Sequence, residues 1–258
     1  MYGFIYYRYC DYVVFTKNIT LAILIGALIS ASAIFIDTTL KFVLFYMGIL
    51  IDMLWQVNVR HKTMNTPVHL SHLVERMGLL AIIILGESMI AMVASLSDVR
   101  WQLHSIIGAT AGFALVGAIW WVYFDSFATL EKGKRLTSAN ILIYSHMFVC
   151  MGLLILANLI RHTILDDLDN STFRLLAITG LIFFYLGKQI PYWYAFPPWR
   201  TAIFKNTFLC ISITVFSSFL PYNQLSLVGM MCGMLIYVYF THKYILNIPV
   251  NTYLVKIS

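Results

Sequence analysis

Long apolar runs alternate with short polar segments along the whole chain. Most of these runs come close to the 20 residues that an α-helix needs to cross about 30 Å of hydrocarbon. The pattern therefore predicts an all-α protein, a polytopic transmembrane helix bundle with eight spans. The predicted spans are residues 19–36, 39–56, 77–96, 104–124, 141–160, 173–194, 202–220 and 225–241. Residues 1–17 are aromatic-rich and shorter than a span, which indicates an interfacial or residual segment, and residues 1–258 are expected to form a single membrane domain.

The composition supports this class and argues against two others. Apolar residues make up 60% of the chain and charged residues 11%, and the mean hydropathy is +0.82, far from the average of soluble domains. The net charge of +6 comes from basic residues scattered between the apolar runs, so no nucleic-acid-binding surface is expected. The lipid bilayer is the partner that this composition predicts.

The distribution of Lys and Arg predicts an orientation, because cytoplasmic loops carry the excess of these residues. Of the 17 Lys and Arg, 12 lie in one set of alternate loops that includes both chain ends, four lie in the other set, and Lys188 lies inside a span. Both termini are therefore predicted to be cytoplasmic. The alternation also supports an even number of spans.

The third predicted helix begins outside the hydrocarbon. Thr66 is a suitable N-cap, and Pro67 suits the first helical position, where its missing N–H costs nothing. A helix from Pro67 to about Leu96 would be about 45 Å long at 1.5 Å per residue, which exceeds the hydrocarbon thickness. Its first turns are therefore expected to project into the cytoplasmic interface.

A polar stripe runs along this helix. At 100° per residue, His69, His72, Arg76 and Glu87 fall within about 60° of one another, and Glu75 lies about 60° beyond the edge. A charged Glu87 facing lipid would cost on the order of 2.5 kcal/mol or more, so it should face protein, water or a partner. These five residues are the main functional candidates on this helix.

His146, near the inner end of the fifth span, is the candidate partner for Glu87 by depth. A protonated or hydrogen-bonded structural Glu87, and a His146 engaged in an ordinary interhelical hydrogen bond, are the alternatives. Three weaker candidates lie in the same half of the bundle. Asp52 and Asp125 are expected at solvated helix ends, and Lys188 is expected to extend to the inner headgroups.

The spacing of His69, His72 and Glu75 could present metal ligands on one helical face, but the His-Glu-x-x-His order of zinc proteases is absent. The chain also has no Gly-x-Ser-x-Gly elbow, phosphate-binding glycine loop or Cys/His nucleophile motif. These absences favour a protein that is not an enzyme, without deciding the question, and no cofactor is expected.

The segment His72-Leu73-Val74-Glu75-Arg76-Met77-Gly78-Leu79 resembles the His-x-x-Glu-Arg-x-Gly-Leu motif of the bacterial low temperature requirement A (LtrA) family of integral membrane proteins. Leu85-Gly86-Glu87-Ser88 is similar to that family's Leu-Gly-Glu-Ser. Trp120-Trp121-x-Tyr123-Phe124-Asp125 and Tyr144-x-His146 resemble its later helices, so the likeness covers about residues 55–245. Typical members are longer and begin with an acidic-aromatic helix that this chain lacks, so the chain is expected to be N-terminally short.

The resemblance implies a multi-pass protein of the bacterial cytoplasmic (inner, plasma) membrane, linked by its family name to growth in the cold. It implies no established molecular activity. The leading hypothesis is a transporter-like or proton-linked protein that moves a proton or small solute, with Glu87 and His146 as a titratable site reached past His72, Glu75 and Arg76. The alternatives are an interfacial metal-dependent enzyme acting on lipid headgroups and a non-catalytic membrane scaffold.

Overall fold

A computed structural model of the chain describes residues 17–18, 20–36, 38–59, 70–99, 101–133 and 139–243. Regular structure in these residues is helical throughout, which confirms the predicted all-α class. The chain divides into two compact units, Met1–Val68 and His69–Ser258. Each unit is described by itself.

The first unit contains helices α1, Thr20–Phe35, and α2, Leu40–Val59. They pack closely because Gly26 and Gly48 leave room for the neighbouring backbone: a Cβ on Gly26 would lie 2.8 Å from the carbonyl oxygen of Gly48. Ser30 adds a hydrogen bond from its hydroxyl to the carbonyl oxygen of Phe45, at 3.0 Å. Small residues at the contact are the usual way in which membrane helices approach each other.

The second unit contains six long helices. They are α3, Leu70–Asp98; α4, Leu103–Gly133; α5, Ala139–Leu165; α6, Asn170–Ala195; α7, Arg200–Ser217; and α8, Asn223–Thr241. A short 3-10 turn, Pro197–Trp199, joins α6 to α7. Asp169 caps the start of α6 by accepting the backbone N–H groups of Ser171 and Thr172.

Consecutive helices from α4 to α8 run up and down, and glycines place several pairs in close contact. A Cβ on Gly152 of α5 would lie 2.6 Å from the backbone nitrogen of Phe184 on α6, and one on Gly187 would lie 2.6 Å from the carbonyl oxygen of Ser145. Gly112 of α4 meets the side chain of Ile160 on α5 in the same way. Gly108 and Gly112 of α4 both lie against α5, so small residues mark this helix contact.

The two ends of the second unit can be named from these contacts. At one end, Tyr123 of α4 meets His146 of α5, and Lys188 of α6 meets Tyr237 of α8. We call this the Asp125 end. At the other end, which we call the Asp166 end, Gln224 of α8 donates to the carboxylate of Asp166.

Within the described residues, five helices are long and apolar enough to cross a membrane: α3, α4, α5, α6 and α8. They match the third, fourth, fifth, sixth and eighth predicted spans, and several are longer than predicted. Helices α1, α2 and α7 lie at the three remaining predicted positions, with α1 apolar but shorter. A multi-pass membrane protein is therefore supported, while the count of eight spans and the cytoplasmic position of both termini stay predictions.

Candidate functional site

The polar stripe of α3 lies on one face, as its spacing predicts, but this face is exposed. The buried face carries Leu85, Ser88 and Met92, and the Ser88 hydroxyl donates to its own helix at the Ile84 carbonyl, 2.9 Å away. Glu87 lies on the exposed surface of the chain. Glu87 was expected to face protein, water or a partner, and it lies off the buried face of α3.

The start of α3 is exposed to solvent, as expected for helical turns that project beyond the hydrocarbon. Nδ1 of His72 lies 3.7 Å from Oε2 of Glu75, and their side chains are 75% and 71% exposed. Arg76 is also exposed. Exposed pairs of this kind contribute little to stability, and His69 lies outside the described residues.

His146 is a buried, hydrogen-bonded histidine. Its Nε2 accepts the Tyr123 hydroxyl at 2.7 Å, and its Nδ1–H donates to the Leu142 carbonyl at 2.8 Å. The rings of His146 and Tyr123 meet edge to face with centroids 5.8 Å apart. Both ring nitrogens are thus engaged, as the interhelical hydrogen-bond alternative proposed.

Glu87 and His146 lie at different depths. Gly78 of α3 faces Phe124, which contacts the same Tyr123 that binds His146. Glu87 is nine residues beyond Gly78, or about 13 Å farther along the helix at 1.5 Å per residue. The structure does not bring these two side chains together.

Lys188 is buried, so the prediction that it extends to the headgroups is wrong. Only 1% of its surface is exposed. Its Nζ donates to the Tyr237 hydroxyl at 2.7 Å and lies 4.5 Å from the ring centre of Tyr237 and 5.4 Å from that of Tyr192. The ammonium is therefore held by one hydroxyl and two aromatic faces, an arrangement that stabilises a cation.

Tyr237 is the centre of this buried cluster. Gln189 also donates to its hydroxyl, and its ring packs against Tyr185 with centroids 4.9 Å apart. Nearby on α7 and α8, the Asn206 amide donates to the Thr241 hydroxyl at 3.0 Å. Three helices, α6, α7 and α8, thus contribute polar groups to one interior region at the Asp125 end.

Asp125 lies at the exposed edge of this region. Its Oδ2 is 3.5 Å from Nδ1 of His242, which directly follows α8, and the side chains are 40% and 55% exposed, respectively. Asp125 is partly exposed, but it lies eight residues before the end of α4 at Gly133 and so is not at a helix end as expected. His242 was not a candidate. Asp52 lies in the first unit, half-buried beside Gly26 of α1.

No metal site is formed by the described part of the chain, where no group of three His, Cys, Asp or Glu side chains could hold an ion. The proposed set of His69, His72 and Glu75 includes a residue outside that part. Metal binding at the start of α3 therefore stays a prediction.

Comparison with protein families decides the relationship of this chain. The family model of the bacterial low temperature requirement A protein (LtrA) matches residues 6–240. The chain belongs to the LtrA family. The match extends farther toward the N-terminus than the resemblance over residues 55–245. No curated protein and no solved structure matches the chain.

The structure connects two of the segments that resemble the LtrA family. Tyr123, from the aromatic segment that ends in Asp125, is the hydrogen-bond partner of His146, from Tyr144-x-His146. The first LtrA-like segment, around His72 and Glu75, is exposed instead. Two of the segments that resemble the LtrA family therefore meet inside the protein, and the first LtrA-like segment lies on its exposed surface.

Sequence reasoning missed the partners of Lys188. Tyr237 and Gln189 were not candidates, although the adjacent polar pair Lys188-Gln189 in an apolar helix was a usable signal. Tyr237 carries no such signal, because tyrosine is common in membrane helices and its role depends on the packing of α6 against α8. His242 was missed because it follows the last predicted span.

Proposed function

We propose that this LtrA-family protein is a proton-linked, transporter-like protein of the bacterial cytoplasmic membrane in which Lys188 gains and loses the proton. The observation that carries the proposal is the lysine amine in the interior of the helix bundle. Lys188 is the one Lys, Arg, Asp or Glu that is buried among the residues whose exposure the structure describes. Ionisable side chains inside membrane helices are costly and mark ion or proton pathways.

The partners of Lys188 suit both of its protonation states. A tyrosine hydroxyl accepts a hydrogen bond from an ammonium and can donate one to a neutral amine. A carboxylate in the place of Tyr237 would favour the charged state alone. The contact between Lys188 and Tyr237 is therefore compatible with a reversible change of protonation.

The packing around Lys188 favours a proton over a larger ligand. Phe184, Tyr185 and Tyr237 are fully buried beside it or on the adjoining turns. A proton needs no additional volume, whereas a solute would require the helices to move apart. The Glu87 and His146 pair supports the proposal less well, because one is exposed and the other has both nitrogens engaged.

Proton flux into proteoliposomes tests the proposal. A potassium gradient with valinomycin supplies the membrane potential, and an internal pH-sensitive dye reports the flux. We expect flux above that of empty liposomes for the wild type and none for Lys188→Met. Lys188→Arg should also be inactive, because arginine keeps the charge but does not release its proton. Lys205→Met removes an exposed lysine of α7 and should leave the flux unchanged.

Four outcomes would contradict the proposal. Wild-type flux equal to that of empty liposomes would favour the scaffold alternative. Full activity in a folded Lys188→Met would exclude Lys188 as the proton carrier. Full activity in Lys188→Arg would show that Lys188 acts as a fixed cation. Loss of flux in Glu87→Gln alone would place the proton-binding site on α3.

A further inference from the structure

Asp125 and His242 form a half-exposed pair between the buried lysine and the surface. The two side chains come from different helices, with Asp125 on α4 and His242 directly after α8, and their nearest side-chain atoms are 3.5 Å apart. Tyr237, which binds Lys188, precedes His242 by five residues on the same helix, or about 7.5 Å at 1.5 Å per residue. The pair is thus close to the lysine along α8.

Residues of α4 and α6 extend from this pair toward Lys188. Tyr192 lies one turn after Lys188 on α6, and its ring centre is 5.4 Å from the Lys188 amine. Ser126 directly follows Asp125 on α4. Asp125 is therefore an acidic side chain at the same end of the helices as the buried amine.

Two hydroxyls in this region have unused hydrogen-bonding capacity. Tyr192 and Ser126 are 2% and 0% exposed, and neither hydroxyl makes a hydrogen bond of normal geometry with a residue that the structure describes. Buried hydroxyls are normally satisfied by protein or by water. Their position between Lys188 and Asp125 suits water-assisted proton transfer.

We propose that Asp125 and His242 are the port through which Lys188 exchanges its proton with the aqueous phase. This inference rests on the proposed function and adds the route. The Lys188 ammonium gives a proton, by way of water bound at the Tyr192 and Ser126 hydroxyls, to the Asp125 carboxylate, which leaves a neutral amine and a carboxylic acid. The acid then protonates neutral His242, which restores the carboxylate, and the imidazolium releases the proton to water. Uptake follows the same steps in reverse.

The groups around the amine leave Asp125 as the acceptor. The titratable groups that face Lys188 are Asp125 on α4, Tyr192 on α6, Cys210 on α7 and Tyr237 on α8. The two tyrosines and the cysteine are weaker acids than a carboxylic acid. Among these groups, Asp125 supplies the one carboxylate.

Nuclear magnetic resonance of protein labelled with ¹⁵N-lysine in lipid nanodiscs tests the port independently of the lysine, because it measures both the titration of Lys188 and the rate at which Lys188 exchanges its proton. The Lys188 resonance is assigned by its loss in Lys188→Met, its titration is followed from roughly pH 5 to pH 10, and its proton exchange rate is measured. In Asp125→Asn and His242→Gln we expect Lys188 to titrate still, but its exchange rate to fall by about 100-fold, as for loss of a positioned acid–base group. Added imidazole should restore exchange in His242→Ala.

The experiment has one control variant and two results that would contradict a proposal. His162→Gln removes a histidine at the Asp166 end, where it pairs with Asp167 at 2.8 Å, and should leave the exchange rate unchanged. A titrating Lys188 whose exchange rate is normal in His242→Gln, an exposed substitution that should fold, would overturn the port and leave the proposed function intact. A wild-type Lys188 that does not titrate would overturn both.

Discussion

Lys188 and Tyr237 are joined by a 2.7 Å hydrogen bond between two buried side chains of α6 and α8. The same hydroxyl also accepts the Gln189 amide. One tyrosine therefore satisfies two neighbouring polar residues in an otherwise apolar region. Loss of this single oxygen would leave both donors without that partner.

Tyr237→Phe is expected to destabilise the protein. Each buried polar group left unsatisfied costs about 1–3 kcal/mol, so the Tm in detergent should fall clearly, as measured by circular dichroism. Tyr239→Phe is the matched control, because Tyr239 is an exposed residue of the same helix whose hydroxyl accepts a hydrogen bond from the exposed Lys243. Equal Tm values for the two variants would contradict this role of Tyr237.

Glu87 and His146 are expected to be energetically independent. A double-mutant cycle of Glu87→Gln and His146→Gln should give a coupling energy below about 0.5 kcal/mol, because distant side chains without shared partners behave additively. Glu87→Gln alone should change stability by no more than about 0.5 kcal/mol in detergent, as for other exposed substitutions. Chemical denaturation in mixed micelles measures both values. A coupling energy of about 1 kcal/mol or more would restore the paired site.

Gly152→Ala is expected to separate α5 from α6. The added methyl would lie 2.6 Å from the backbone nitrogen of Phe184 and 2.7 Å from the carbonyl oxygen of Gly180, and backbone atoms cannot move aside as a flexible side chain can. Overpacking of this kind typically costs about 1–3 kcal/mol.

Gly86→Ala provides the control for this prediction, because no atom of the described residues beyond its own helical turn and chain neighbours lies within 4 Å of the added methyl. Alanine has a helix propensity about 1 kcal/mol better than glycine, so this variant should have an unchanged or slightly higher Tm. Thermal unfolding of the two variants side by side gives the comparison. A smaller loss for Gly152→Ala than for Gly86→Ala would show that the α5–α6 contact is not tight.

Asp169 is expected to stabilise the start of α6 at neutral pH but not in acid. Hydrogen bonds from the Ser171 hydroxyl and from Thr172 hold the pKa of its carboxyl well below the ordinary value. A lowered pKa in the folded state means that the stabilisation is present above the unfolded-state pKa, about 3.9, and is lost as the pH falls through the folded-state value. The Tm difference between wild type and Asp169→Ala should therefore be largest at neutral pH.

Asp169→Asn separates capping from ionisation in this prediction. Asparagine is a good N-cap and does not titrate, so the Tm of Asp169→Asn relative to Asp169→Ala should change less with pH. Thermal unfolding of the three proteins over a series of pH values gives both differences. A Tm difference between wild type and Asp169→Ala that grows in acid would contradict the assigned sign.

The amino-acid sequence was sufficient to predict most of the local structure. Apolar runs of span length predicted helices at the eight places where helices are found, because the backbone of a lipid-facing segment must satisfy its own hydrogen bonds. The spacing of His72, Arg76 and Glu87 placed them correctly on one face of α3. The segment from His72 to Leu79 indicated the family to which the chain belongs.

The candidate site was less predictable, and Glu87 and Lys188 show why. Helical spacing gives the angle between two residues of one helix but not the rotation of that helix against its neighbours. In a soluble protein the apolar face would point inward, whereas in a membrane both the interior and the lipid are apolar. The cost of a charge in lipid required protein, water or a partner for Glu87 but did not choose among them. The packing of α3 through Leu85, Ser88 and Met92 leaves Glu87 exposed.

The sequence by itself thus determined the membrane class, the positions of the helices and the relative angles of residues within each helix. Only the tertiary structure decided which side chains meet: Tyr123 with His146, Lys188 with Tyr237, and Asp125 with His242. The physical reason is that helix formation depends on hydrogen bonds between residues close in sequence. The partners of a buried polar group come instead from the packing of different helices, here through close contacts at glycines such as Gly152 and Gly187.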